Sequence, residues 1–243
     1  MKENKLTRER PAPAGSRQKM TSMAPPKFTL SVWEEWRKLT EFFALSDHVY
    51  ASQANAWNCL PLADSHGAQL RIGSGDFKFE STGDRYATVL GDRHMLSTVV
   101  LIHSYGLLQV AMFEAYEELS KIAHANTPLR SSFIADNKLI ETLMSDGGIE
   151  TWGDRILNDL GRSWNDVEGG KAGIVEAATI RNAVAHGQRT VSQKMENRVM
   201  RVGGTLPWKV GNTIRLDIAC TKEYRHRFRS FMRVVDHGVY QLA

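Results

Sequence analysis

Apolar residues recur at helical spacing along most of this chain, and the breaks between those runs divide it into elements. Ser31-Val-Trp-Glu34 reads as a capping box, with Ser31 at N-cap and Glu34 at N3. Behind it Trp33, Trp36, Leu39 and Phe43 predict a helix to about Leu45, and a second helix follows from His48 to Asn58. Alternation takes over at Gln69–Gly73 and Asp76–Ser81, around Gly73-Ser74-Gly75, which predicts a small hairpin. A long helix from about Leu96 to Ala123 comes next. It is apolar nearly all round between Val99 and Phe113, which implies packing on more than one side. His103, Ser104, Gln109 and Glu114 within it favour a buried central helix over a membrane span, with His103 read as a satisfied core histidine.

His124-Ala-Asn-Thr-Pro128 breaks that helix, and shorter ones are expected at Asp136–Met144 and Ile149–Leu160. Asp146-Gly-Gly148 and Gly169-Gly170 are the punctuation. Helices follow over Lys171–His186 and Val191–Arg201. Leu206–Val210 and Thr213–Leu216 flank Gly211-Asn212 and predict a second hairpin. The last helix, about Thr221–His237, puts Tyr224, Phe228, Phe231 and Val235 on one face. Arg225, Arg229 and Arg233 form a basic stripe beside that face. Such a stripe is ordinarily solvated, and RNA backbone contact is its functional alternative. The fold class is therefore mainly α, an antiparallel helical bundle with one or two small hairpins.

Composition adds boundaries to this outline. Residues 1–28 are polar, basic and proline-rich, a disordered tail. Residues 29–91 make a helical and hairpin extension, and 92–243 a helical domain. Two cysteines, Cys59 and Cys220, make no disulfide framework, so a reducing cytoplasm is the expected compartment. The N-terminus offers no apolar stretch of signal-peptide type. Charge is unevenly spread. Residues 1–30 carry seven Lys/Arg against two Asp/Glu, 31–180 carry twelve against twenty-one, and 181–243 carry twelve against four. A basic surface that begins at residue 181 is what a polyanion would meet; a solvated basic face is the plain alternative.

Residue 181 opens the stretch with the clearest chemistry. Glu176-Ala-Ala-Thr-Ile-Arg181-Asn182-Ala-Val-Ala-His186-Gly187 sets an arginine, an asparagine and a histidine in the last turns of a helix that a glycine ends. Asn182 and His186 share a face with Thr179 and Glu176, while Arg181 projects from an apolar face. An arginine there is costly unless a carboxylate, a phosphate or a partner subunit meets it. His186, beside the negative end of the helix dipole, is placed for general acid–base work. A bare Arg-x4-His pair arises about 0.6 times by chance in a chain of this composition, and the string with the added Asn and Gly roughly 0.002 times. Other chemistries lack their motifs: no HExxH or paired histidines for a metal, no GxGxxG or P-loop for a cofactor, no G-x-S-x-G elbow.

Arg181-Asn182-Ala-Val-Ala-His186-Gly187 resembles the Arg-x4-6-His signature of HEPN domains (higher eukaryotes and prokaryotes nucleotide-binding), in its Arg-Asn-x3-His-Gly form. The likeness extends over roughly residues 92–240. It takes in Phe113-Glu114-Ala115-Tyr116, where Glu114 is similar to the acidic residue of the family's first helix. The resemblance implies a metal-independent endoribonuclease. The RNA's own 2′-OH attacks its phosphodiester and leaves a 2′,3′-cyclic phosphate. Arg181, Asn182, His186 and Glu114 form the site, with Glu114 able to pair with Arg181. It implies a homodimer whose two His186 side chains face one cleft, and a toxin or phage-defence role in which a cognate antitoxin protein could be a partner. Two other readings stand beside it: a non-catalytic HEPN module that binds a nucleotide or protein, and a helical scaffold in which Arg181 makes a structural ion pair.

Overall fold

The computed structural model describes residues 29–61, 65, 67–125 and 148–243. The tail 1–28, the helix expected at 136–144 and the break at 124–128 lie wholly or mostly outside these residues. The order of elements is α1 (Leu30–Asn58), β1 (Gln69–Ser74), β2 (Phe77–Thr82), α2 (Gly83–Gly91), α3 (His94–Ala125), α4 (Gly148–Asp159), a 3-10 turn (Trp164–Asp166), α5 (Gly170–Ala185), α6 (Gln193–Met200) and α7 (Ile218–Leu242). The protein is mainly α with one small antiparallel sheet, as the apolar periodicity requires.

Helices α3 and α7 form the most extensive packing pair, with α1 against α3 and α5 set among α3, α4, α6 and α7. The main core holds Leu101, Leu108 and Met112 from α3, Trp152 and Ile156 from α4, Ile174 and Ile180 from α5, and Tyr224, Phe228 and Phe231 from α7. Aromatic rings tie these helices together. Phe231 stacks on Trp164 at 5.2 Å and lies 5.8 Å from Trp152, and Phe228 meets Tyr105 edge-on at 5.5 Å. Trp164 reaches this place because residue 153 is glycine: a Cβ there would sit 2.7 Å from the indole ring. The first turns of α1 join the same core through Val32 and Trp36, while Leu39 and Phe43 pack with Leu96 and Val100 in a smaller cluster.

Three local expectations change in three dimensions. Residues 30–58 form one continuous helix, not two. Leu45-Ser46-Asp47-His48 contains no glycine or proline to break it, and Arg93 fixes the segment by an ion pair to Asp47 (2.8 Å) and by lying 5.1 Å from the Tyr50 ring. The capping box at Ser31 does not form. Thr29 is the N-cap residue, and Ser31 instead donates its hydroxyl to Glu114 (3.2 Å). The hairpin expected around Gly211-Asn212 is absent too. The turn is there, with Gly211 at φ 84°, but its partner is the segment after α5: Val191 N–H donates to Asn212 O (3.0 Å) and Ile214 N–H to Arg189 O (2.8 Å). Pro207, without an N–H, weakens 206–210 as a ladder strand. The hairpin β1–β2 matches expectation to within a residue, pairing Gln69 with Thr82 through Ser74 with Phe77.

The long helix α3 departs from the sequence reading in a more consequential way. It is not covered all round. Met95 (71% exposed), Val99 (50%), Val110 (46%) and Phe113 (37%) stay in the open, with Gly106 between them. At about 100° per residue these positions lie within about 60° of one another, an apolar stripe about 27 Å long. His103 flanks the stripe and is exposed, so it is not a core histidine. The segment containing α3 is long and apolar enough by composition to cross a membrane, with a window of mean hydropathy 1.6, and 56% of that window is buried inside this fold.

Trp152 is 1% exposed and touches the ring cluster that joins α4 to α7. Trp152→Ala is expected to lower the unfolding free energy by about 3–5 kcal/mol, read from urea denaturation.

Candidate active site at the end of the motif helix

Helix α5 is the most enclosed element of the bundle. Ile174, Val175, Ala177, Ala178 and Ile180 are fully buried, and Gly173 and the alanines keep its flanks narrow enough for four neighbours. Only its C-terminal tip is free. The helix ends in a Schellman turn, with Gln188 N–H donating to Ala183 O (2.9 Å) and Gly187 N–H to Val184 O (3.1 Å). Gly187 supplies the left-handed backbone (φ 70°) that the turn needs. His186 is the C-cap residue and its side chain is exposed, so it is open to a ligand.

Arg181 is half-buried one turn earlier. Its guanidinium lies 4.5 Å from the centre of the Tyr105 ring of α3, and Nη1 donates to Asn182 Oδ1 at 2.9 Å. Its Nε is buried without a hydrogen-bond partner. Among the described residues no carboxylate forms an ion pair with it. The aromatic face and the amide offset part of the cost of enclosing this charge, and the Nε donor stays unused. Arg181 and His186 stand five residues apart, about 7.5 Å along the helix and about 140° around it, so one copy presents them to different sides of the tip. Asn182 lies between them and shares the His186 face.

Tyr105 is the residue that sequence reasoning missed. Burial pushes its phenol up to about 12, with Arg181 and Arg198 pulling the other way. Arg198 of α6 forms a bidentate pair with Glu150 of α4, Nε–Oε1 at 2.9 Å and Nη2–Oε2 at 2.6 Å. Burial pushes the Glu150 carboxyl up, but the hydrogen bonds from Arg198 outweigh it and the net direction is down. This pair opens onto a cavity of about 610 Å³ that Asp154, Lys171 and Arg201 also line. Neither Tyr105 nor this pair has a signal in the linear sequence: Glu150 and Arg198 are 48 residues apart and become partners only when α4 and α6 pack on α5.

Glu114 has to be removed from the site. It lies nine residues beyond Tyr105 on α3, about 13 Å along the axis. There it accepts from Ser31, and its other oxygen is buried without a partner. Burial raises its pKa. Its charged neighbours are not Arg181 but Glu117 and Asp236, the latter on α7, where it accepts from Trp33 Nε1 (2.6 Å) and Thr29 Oγ1 (3.2 Å). Glu176 and Thr179 do not face a ligand at the tip either. Thr179 is buried, and Glu176 accepts from Tyr224 (2.9 Å) and Arg227 (2.8 Å).

No family model, curated protein or solved structure matches this chain. The site is therefore read from its own geometry. The supposed basic stripe of α7 is also not one surface: Arg225 is only 6% exposed, turned toward α1, while Arg229 and Arg233 stay outside. Among the described residues no group of three or more His, Cys, Asp or Glu is placed to hold a metal ion.

The displaced acid cluster has its own pH signature. Burial raises the Asp236 carboxyl from its ordinary 3.8 to about 6, against the hydrogen bonds from Trp33 and Thr29. A folded-state pKa above the unfolded one contributes stability below about pH 4, and that contribution is lost as pH rises through about 6. Asp236→Asn keeps an acceptor for Trp33 and should remove a pH-dependent loss on the order of 2 kcal/mol between pH 4 and 7. Urea denaturation across that range measures it.

Proposed function

We propose that this protein is a metal-independent endoribonuclease of HEPN type that acts on RNA as a homodimer. One observation carries the reading: a half-buried guanidinium with no carboxylate beside it, set one turn before an exposed histidine on a helix tip held by a Schellman turn. A purely structural arginine at such a place would be expected to have an acid partner, and the described residues offer none.

The reaction follows from what the two side chains can do. His186 takes the proton of an RNA 2′-OH. The freed oxygen attacks the adjacent phosphorus, the bond to the 5′-oxygen breaks, and a 2′,3′-cyclic phosphate remains. Arg181 stabilises the charge that gathers on the non-bridging oxygens through its fork of donors. The departing 5′-oxygen takes a proton from a second acid, and His186 of a second copy fills that role. Asn182 orients Arg181, to which it is bonded, and contacts the phosphate from the His186 side.

The uncovered stripe of α3 supports a second copy. An uncovered apolar strip from Met95 to Phe113 is the kind of surface that another chain can cover. Tyr105, which carries Arg181, projects about 100° from the centre of that stripe. Two copies meeting along it would hold their Arg181 groups beside one seam. A toxin or phage-defence role in the cytoplasm, silenced by an antitoxin protein, goes with the HEPN resemblance. The alternative is a HEPN-like binding module, favoured by the 140° between Arg181 and His186 within one copy.

Wild-type protein is expected to cut RNA in EDTA to 2′,3′-cyclic phosphate ends. His186→Ala should remove the activity while circular dichroism and Tm stay unchanged, and Arg181→Ala should lower the rate at least a hundredfold, about 3 kcal/mol. Ligand-dependent stabilisation without cleavage would replace the enzyme reading with the binding module.

The stripe is tested separately. Val110→Glu should convert a dimer to a monomer in light scattering and abolish cutting. A wild-type monomer that still cleaves would remove the shared-site mechanism.

A further inference from the structure

The groove between α1 and α7 holds a second unbalanced cation. Arg225 is 6% exposed, yet no carboxylate among the described residues pairs with it. Its Nη2 donates to Thr40 Oγ1 (2.8 Å), its guanidinium lies 4.9 Å from the Trp36 ring and 5.8 Å from Phe43, and its Nε is buried with no partner at all. Burial, then Arg229, pulls its pKa down to about 10. Thr40 and the two rings offset part of the cost of burying this charge, and its Nε donor stays unused. Arg227, two residues on, shows the contrast, since Glu176 and Glu223 both pair with it.

Arg225 lines a cavity of about 210 Å³ together with Lys222, His226 and Arg229. The cavity's one acid, Asp47, is already held by Arg93 at 2.8 Å, and His226 is held by Glu168 at 2.6 Å. Lys222 and Arg229 have no carboxylate partner among the described residues. Three cations thus converge on one small space, and the one anion that lines it among the described residues is spoken for. Such a space fits a single tetrahedral oxyanion with its waters and is too small for a nucleoside as well. Trp36 and Phe43 are themselves buried and covered by Arg225, so they form a wall and offer no stacking surface. The hydroxyl of Thr40 sits at the same wall.

We propose that the α1–α7 groove is a phosphate-binding site in which Arg225, Arg229 and Lys222 hold one phosphate-class oxyanion. The group is either free phosphate or one phosphodiester of a nucleic acid strand, and both present the same oxygens to these donors. The site lies apart from Arg181 and His186 and does not depend on the ribonuclease reading.

The test is direct binding to the full chain, with no use of cleavage. Inorganic phosphate at matched ionic strength should raise Tm over chloride, rising with the logarithm of phosphate concentration above Kd and reaching about 5–10 °C at a hundred times Kd. Arg229→Ala and Lys222→Ala are surface changes that should leave the fold intact and weaken phosphate binding at least tenfold by calorimetry. Arg225→Met should abolish it, and because apolar replacement of a buried charge is often tolerated the variant should still fold. Arg233→Ala, outside the groove, serves as the control and should bind as wild type. A 2′-O-methyl oligonucleotide, which cannot be cut, separates the two sources: competition with inorganic phosphate that is lost in Arg229→Ala assigns the groove to the strand, and no competition assigns it to the free ion. Equal phosphate affinity in wild type, Arg225→Met and Arg229→Ala, or no effect beyond chloride, overturns the site.

Discussion

The enclosure of α5 is the constraint on which the rest of this structure depends. A helix buried on nearly every side favours small residues, which is why Gly173, Ala177, Ala178 and Ala183 recur there, and its mid-helix acid, Glu176, is held by Tyr224 and Arg227. It must also be surrounded, and α3, α4, α6 and α7 do so. Their packing brings Tyr105 against Arg181 and sets the Glu150–Arg198 pair on a cavity shared with Lys171. Arg181 and Asn182 stand in its last turns, beyond Glu176 and Thr179. The chemistry of the tip is a consequence of the greasiness of the stem.

Three arginines then show how one bundle treats buried positive charge. Arg227 is compensated in the ordinary way: burial works against its charge, and its hydrogen bonds to Glu176 and Glu223 more than restore it, so its pKa rises. Arg181 and Arg225 have aromatic rings where acids would be, Tyr105 for the one, Trp36 and Phe43 for the other. A ring face attracts a cation without consuming its hydrogen-bond donors. Both guanidiniums are therefore held in place while their donors stay in part unused. The same pattern recurring at two places, on different helices, marks a way of keeping an arginine both fixed and receptive.

Much of the fold was legible because helical periodicity is strong where one face is buried. The spans of α3, α4, α5 and α7 were visible to within a few residues, and so were those of β1 and β2. What the linear pattern could not supply was partnership. Ser31 and Glu34 have the spacing of a capping box, but Glu114, 83 residues away, takes the serine hydroxyl. Gly211-Asn212 has the look of a hairpin turn, yet its strand partner precedes it as residues 189–191. Glu114 sat on the right helix to meet Arg181 and lies two and a half turns too far along it. At the tip the elements were visible, Arg181, Asn182, His186 and Gly187 alike, since they occupy one continuous segment. Tyr105, which fixes the arginine, was not, because a ring under a guanidinium leaves no trace in spacing. The exposed side of α3 was not legible for a related reason: apolar character all round a helix does not say which of its faces the other described residues cover.

The Schellman turn at Gly187 has an implication for how the tip works on a ligand. Its two hydrogen bonds fix the backbone on both sides of His186, so the imidazole retains only its own two side-chain torsions. Binding there freezes little that was free, and the loss of conformational entropy on capture is correspondingly small. The position is preorganised as a mount. Another side chain placed on it would inherit the same aim, and selection could exchange the chemistry of this tip without rebuilding the scaffold beneath it.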